Sequence, residues 1–313
     1  MRILVTGAAG FAGRHVVLEL LRRGHKVYGL ARRAAQVRAL RALGARSLQG
    51  DVTRKADLLR VLQAALPQGI IHLAGEAHVG EAARDPAKTR RVTVGGSRNL
   101  LEAAAEAVPA CRVLLVSSGM VYGPARGSPP REGARLRVRG AYARAKAAAE
   151  REAGRIAARY GLALIIARPF NHAGPGQSPR FAMADFARQI ACIEAGKATP
   201  RIEVGDLSSR RAFLDVRDVA RAYADLLARG RPGRVYNVSG ARPVRIQAVL
   251  DGLLRISGLE VEVVSVPSRR RGTSTYAGCA GRIRRELGWR PKISLSRTLR
   301  DVLSEWRRKE GTR

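Results

Sequence analysis

Residues 2–13 read Arg-Ile-Leu-Val-Thr-Gly-Ala-Ala-Gly-Phe-Ala-Gly: a short apolar run that passes directly into Gly7-Ala8-Ala9-Gly10-Phe11-Ala12-Gly13 and on into a helical pattern. Glycine at these positions lets the chain turn tightly at a strand end and lets backbone N–H groups approach a pyrophosphate. It also lets the next helix pack close to the sheet, with the helix dipole favouring the anion. Such a pattern on its own is weak evidence; between a strand and a helix it has the context that dinucleotide binding requires.

Outward from this loop, apolar runs at 2–6, 26–30, 47–49, 69–73, 112–117 and 163–167 alternate with helical stretches at 13–23, 55–66, 97–107 and 141–160. Ala, Leu, Arg and Glu dominate the helical stretches, so propensity and period agree. Repeated βα units predict a parallel sheet. The alternation breaks at Arg-Pro-Phe-Asn-His-Ala-Gly-Pro-Gly-Gln, residues 168–177, a Pro/Gly-rich loop. A helix at 185–195, a strand near 202–204, a helix at 216–228, a strand at 235–238 and a C-terminal helix at 296–308 follow. The predicted fold is α/β, a Rossmann-like doubly wound parallel sheet with a smaller C-terminal α/β lobe. Residues 1–168 plus 212–239 form the first lobe and 169–211 plus 240–313 the second, which caps the carboxyl ends of the strands.

A carboxylate at the end of the second strand would bond a ribose 2′-hydroxyl and repel a 2′-phosphate. The chain reads Gly29-Leu30-Ala31-Arg32-Arg33 there, so NADP(H) is favoured over NAD(H), which remains possible. Asp51 and Val52, after the third strand, sit where they reach an adenine. A second constellation is Ser117-Ser118 at the end of the fifth strand and Tyr142-Ala143-Arg144-Ala145-Lys146 at a helix start. The spacing puts the Tyr142 phenol and Lys146 ammonium on one helix face. A free phenol titrates near ~10, and a neighbouring cation favours the phenolate and makes proton exchange with a substrate oxygen practical. Ser118 can bond the same oxygen.

The chain carries 58 Lys+Arg against 25 Asp+Glu over 313 residues, a formal charge of +33. Arginine supplies nearly all of it, spread along the chain with no zinc-finger spacing or basic zipper, so no nucleic-acid partner is expected. With 46% hydrophobic residues the chain builds a real core. Cys111, Cys192 and Cys279 form no CxxC pair, and His78, His172 and the cysteines do not share metal-ligand spacing. A cytoplasmic protein without a metal or a membrane span is expected.

The stretches LVTGAAGFAG, GDV, IIHLAGEAHVG, VSSGMVYG, YARAK and RPFNHAGPGQ resemble the extended short-chain dehydrogenase/reductase family that acts on nucleotide sugars, over essentially the whole chain. Thr93 stands where the family usually has Asn. The resemblance implies that Tyr142 is the acid/base, that Lys146 lowers its pKa and holds the nicotinamide ribose, and that Ser118 orients the carbonyl. It also implies that Leu73, Ala74 and Gly75 line the cofactor cleft and that Asn171 contacts a substrate diphosphate. RPFNHAGPGQSPRFAMADFARQI and IEVGDLSSRRAFLDVRDVARAY are most similar to members that reduce the 4-ketone of a GDP-6-deoxy-hexose. Gln177 and Phe181 would then shape the sugar and base pocket, and Arg211 and Arg269 would meet the diphosphate of the GDP-sugar. Dehydration needs extra acid/base groups, and dehydratases of the family carry acids just after the Ser/Thr; here Gly119-Met120 follow Ser118. A 4-epimerase uses the same triad and is the competing activity, and a non-catalytic dinucleotide-sensing or nucleic-acid-binding protein is the competing class. The family expectation for assembly is a homodimer through helices 92–107 and 141–160.

Overall fold

The structure, a computed structural model, describes residues 1–125, 127–240, 242–266 and 274–311. Along the chain β1 (Arg2–Thr6), α1 (Phe11–Arg22), β2 (Lys26–Ala31), α2 (Ala34–Ala42), β3 (Arg46–Gln49), α3 (Lys55–Ala65) and β4 (Gly69–His72) alternate strand with helix. Two short helices, α4 (Val79–Arg84) and α5 (Pro86–Arg90), then run through a π turn at Arg91–Gly95 into α6 (Gly96–Ala107). β5 (Arg112–Val116), α7 (Gly140–Tyr160) and β6 (Ala163–Pro169) follow. The second half contains β7 (His172–Ala173), α8 (Ala182–Glu194), β8 (Arg201–Val204), β9 (Arg210–Arg211), β10 (Leu214–Asp215), α9 (Val216–Arg229), β11 (Val235–Val238) and β12 (Val244–Arg245). It ends with α10 (Ile246–Ser257), β13 (Glu262–Ser265), β14 (Thr275–Tyr276), α11 (Gly281–Leu287) and α12 (Leu295–Glu310).

Seven strands form one sheet in the order β11-β6-β5-β4-β1-β2-β3, every neighbouring pair parallel. The order reverses between β1 and β4, which opens a crevice at the carboxyl edge. One face is packed by α1, α2 and α9, with Ile3, Val5, Val17, Leu20, Tyr223 and Leu226 in a common core. The other face is packed by α3, α6 and α7 through Leu4, Leu58, Val61, Leu100, Leu101 and Ile156. The doubly wound α/β fold read from the periodicity is therefore present. A separate core, Phe186, Ile190, Val249, Leu253, Leu299, Val302 and Trp306, joins α8, α10 and α12. Ile283, Leu287 and Trp289, from the segment following β14, pack into the first-lobe core instead. Among the described residues no helix is long and apolar enough to cross a membrane.

Two buried aspartates at the start of α9 link the sheet's core to the core around α12. Asp215 accepts hydrogen bonds from Arg217 N (2.9 Å) and Nε (2.8 Å) and from Thr298 Oγ1 of α12 (2.8 Å). Asp218 accepts from Lys292 N and Ile293 N, both at 2.9 Å.

Candidate active site

A cleft of about 610 Å³ lies along the carboxyl edge of the sheet. Of the residues singled out in the sequence, Gly7, Gly10, Phe11, Ala12, Gly13, Arg32, Asp51, Val52, Leu73, Ala74, Gly75, Ser118, Tyr142, Lys146, Asn171, Gln177, Phe181 and Arg211 all line it. Arg269 lies outside the described residues. The β1–α1 turn closes on itself through Gly10 N donating to Gly7 O at 2.9 Å. A Cβ on Gly13 would stand 2.2 Å from Gly7 O, so a larger residue would push helix and loop apart. Gly10 caps α1 without a side-chain hydrogen bond, which leaves the first N–H groups of the helix open toward an anion. Further along, Arg32 is exposed at the end of β2. Burial pushes the Asp51 carboxyl up, but bonds from Thr53 N and Oγ1 and the charges of Arg32 and Arg54 bring it below the usual value. Asn99 Nδ2 holds the Val52 carbonyl at 3.1 Å.

At the other end α7 presents Tyr142, Lys146 and Glu150, one turn apart, toward the ends of β5 and β6. Glu150 is bound by three contacts from the Arg168 guanidinium, Nε at 3.0 and 3.2 Å and Nη2 at 2.6 Å, and by the Ser117 hydroxyl. Arg168 also donates to Tyr122 Oη at 2.7 Å, and Tyr122 donates to Asn237 Oδ1 at 2.9 Å. Glu150 and Arg168 each expose only 7% of their side chains, so this pair anchors α7 to β6 inside the protein. Lys146 Nζ donates to Val116 O at 3.0 Å. Burial pushes the Lys146 ammonium down to about 8 against the opposing pull of Glu150 and Glu76.

Burial pushes the Tyr142 phenol above its ordinary value; a hydrogen bond with Ser118 opposes this and the Glu76 carboxylate adds to it. The expected depression by Lys146 is not found. The ammonium is engaged with the Val116 carbonyl and faces two carboxylates, and desolvation decides the direction. The phenol is therefore protonated at neutral pH, the form that gives a proton rather than takes one. Ser118 is buried, and its Oγ is fixed by Met120 N at 3.2 Å at the start of a 3-10 turn. A Cβ on Gly119 would strike the Phe170 ring at 2.7 Å, so packing as well as composition keeps a carboxylate from this position.

Across the cleft Arg211 lies with its guanidinium carbon 4.8 Å from the centre of the Tyr276 ring and donates to Ser274 O at 2.8 Å. Gln177 Nε2 donates to His172 O at 3.1 Å. Phe181 meets His78 edge-on at 5.4 Å, and Phe11 stacks on His172 at 6.0 Å.

Residues 3–239 match the model of the NAD dependent epimerase/dehydratase family. The chain belongs to this family. It is 36% identical over 97% of its length, and 97% of the relative's, to GDP-6-deoxy-D-mannose reductase of Pseudomonas aeruginosa. The solved structure of RMD from Pseudomonas aeruginosa complexed with NADPH superimposes with a TM-score of 0.88 at 34% identity, covering 99% of this chain and 100% of that one. UDP-glucose 4-epimerase from Thermus thermophilus, complexed with NAD, superimposes at 0.89 with 28% identity, covering 98% and 99%.

Several cleft groups of this epimerase/dehydratase-family member have no signature in the sequence. Glu76 follows β4, and its Oε1 accepts from Ala77 N and His78 N, both at 2.9 Å. Its neighbour Gly75 passes so close to the π turn that a Cβ there would lie 3.2 Å from Thr93 Oγ1 and 3.5 Å from Lys146 Nζ. Thr93 Oγ1 accepts from Glu76 N at 3.2 Å, so the hydroxyl at the family's Asn position organises this loop. His72 at the end of β4 is buried but fully bonded, to Thr6 Oγ1 at 2.7 Å and Ser97 Oγ at 3.1 Å. Ser97 gives its one proton to Thr93 O at 2.6 Å. His72 Nε2 must then donate to Ser97, and Nδ1 accepts from Thr6.

Proposed function

We propose that this chain is an NADP(H)-dependent reductase that converts the 4-ketone of a GDP-4-keto-6-deoxy-hexose to the 4-hydroxyl, giving GDP-rhamnose or a related GDP-6-deoxyhexose. The observation that carries the reading is Ser118, Tyr142 and Lys146 lining one cleft with the glycine turn, with no acid at 119–120. The likeness to the Pseudomonas aeruginosa reductase supports the base and the sugar.

The residues present fit the cofactor. The glycine turn and the open N-terminus of α1 would take the pyrophosphate, Arg32 a 2′-phosphate, and Asp51 and Val52 the adenosine. Leu73, Ala74 and Gly75 would wall the middle, with Tyr142 and Lys146 at the nicotinamide ribose. When bound, the reduced nicotinamide supplies the hydride. Ser118 orients the substrate carbonyl through its buried hydroxyl, and Tyr142 gives its proton to the developing alkoxide. Lys146, held by the Val116 carbonyl, would bond the nicotinamide ribose through its ammonium. Asn171, Gln177, Phe181 and Arg211 would bind the GDP-sugar, with Arg269 as a further diphosphate contact. A homodimer through α6 and α7 and a cytoplasmic location complete this reading, and the free Cys111, Cys192 and Cys279 suit a reducing compartment.

Purified protein should consume NADPH only when the 4-keto sugar nucleotide is added. Tyr142→Phe should lower kcat by about 10²–10⁴-fold and leave NADPH affinity unchanged. Tightly held NAD together with interconversion of C4 epimers would establish the epimerase instead, and an unimpaired Tyr142→Phe enzyme would refute the mechanism.

A further inference from the structure

Tyr223 belongs to none of the roles assigned above. It stands on α9, is fully buried, and forms part of the cleft wall. Among the described residues, its hydroxyl and the Trp306 indole N–H are the buried side-chain polar groups with no hydrogen-bond partner. Trp306 lies in the second-lobe core, away from the cleft lining. The ring of Tyr223 sits in an apolar cluster that includes Ala8 of the glycine turn, Val116 at the end of β5, Ala167 and Leu214. The Tyr142 phenol, which lines the same cleft, acts on the Tyr223 phenol electrostatically without bonding it, so a partner has to arrive from the cleft side. An unpaired buried hydroxyl costs stability, and it persists most readily where a ligand satisfies it.

The position selects the ligand group. Tyr142 and Lys146 project from α7, which packs on one face of the sheet, whereas Tyr223 projects from α9 on the opposite face. A planar group lying across the ends of β5 and β6 would have Tyr142 and Lys146 on one side and Tyr223 on the other. Burial keeps the Tyr223 phenol neutral, so it can both donate and accept. We infer that the Tyr223 hydroxyl bonds the carboxamide of the nicotinamide ring and holds that ring in its reactive orientation. The carboxamide carries the complementary acceptor and donor in the plane of the ring, and the pyrophosphate and ribose already have their partners in the glycine turn and in Tyr142 and Lys146. The inference rests on the cofactor reading proposed above.

Tyr223→Phe removes one oxygen and keeps the packing. Three measurements are made on wild type and variant: NADPH affinity by fluorescence titration, affinity for 2′-phospho-ADP-ribose, which lacks the nicotinamide, and the melting temperature of the ligand-free protein. The variant should bind NADPH about tenfold more weakly, the fragment equally well, and melt no lower than wild type. Unchanged NADPH affinity would overturn the inference. Equal weakening for NADPH and fragment would also do so, and so would a ligand-free melting temperature lowered by several degrees, since the hydroxyl would then have a partner within the protein. A wild type that binds neither ligand would overturn the cofactor reading and this inference together.

Discussion

Glu150→Gln is the substitution that most directly tests how α7, the helix carrying Tyr142 and Lys146, is held. It keeps the side-chain shape and removes the charge facing Arg168. The guanidinium is left 7% exposed, with three contacts to Glu150 weakened and the Tyr122 hydroxyl (2.7 Å) and Glu132 carbonyl (3.2 Å) still accepting from it. Breaking one side of a buried pair costs about 3–5 kcal/mol, and the two remaining acceptors place this case at the low end, about 3 kcal/mol. For 313 residues the unfolding entropy is about 0.66 kcal/mol/K, so the melting temperature should fall by roughly 5 °C. Replacing both members by Met should recover most of that loss, because no charge is then stranded. The same variant takes from Lys146 one of the anions that hold its ammonium up. Its pKa should drop further below about 8, so activity that depends on the ammonium should be lost at lower pH than in wild type. Differential scanning calorimetry and a pH–rate profile measure the two effects. A melting point within about 1 °C of wild type, or a double variant no better than the single one, would refute the argument.

Gly119→Asp drives a Cβ into the Phe170 ring, 2.7 Å away, and should cost about 1–3 kcal/mol in chemical denaturation without creating dehydratase activity. Arg32→Ala should weaken NADPH binding several-fold and leave NADH unaffected, with the contrast shrinking in high salt because Arg32 is exposed. His72 is pushed down to about 3 by burial, so the folded protein stays unprotonated at a pH where the unfolded chain has taken up a proton. Stability present above about 6.5 should therefore be lost as pH falls toward about 3, and His72→Gln should flatten that dependence in urea titrations.

Features written in neighbouring residues were legible from the chain alone. The strand–glycine–helix unit at 2–13 needs only local order, as does the pairing of Tyr142 with Lys146 on one helix face. Glu150 continues that spacing by a further turn, and Arg168 ends an apolar strand. Only the fold reveals that they bond, because 18 residues separate them and Ser117 is 33 from Glu150. The upward push on the Tyr142 phenol is hidden from the sequence for the same reason. A cation at i+4 is visible in the sequence, whereas the desolvation that outweighs it belongs to the assembled cleft. The steric barrier at Gly119 likewise depends on where Phe170 packs, and the orphan hydroxyl of Tyr223 on what surrounds it.

The two aspartates at the start of α9 bear on how a substrate enters. Asp215 reaches Thr298, Arg217 reaches Asp301 at 2.7 Å, and Asp218 binds the backbone just before α12. Movement of α12 away from α9 would have to break these contacts together, with Asp215 and Asp218 losing bonds. Entry to the cleft should then depend on the segments that carry Glu76, Phe181 and Arg211 in its lining. Exchange of nucleotide sugar should then proceed at the pace of loop rearrangement, with the helix that carries Tyr142 and Lys146 standing still.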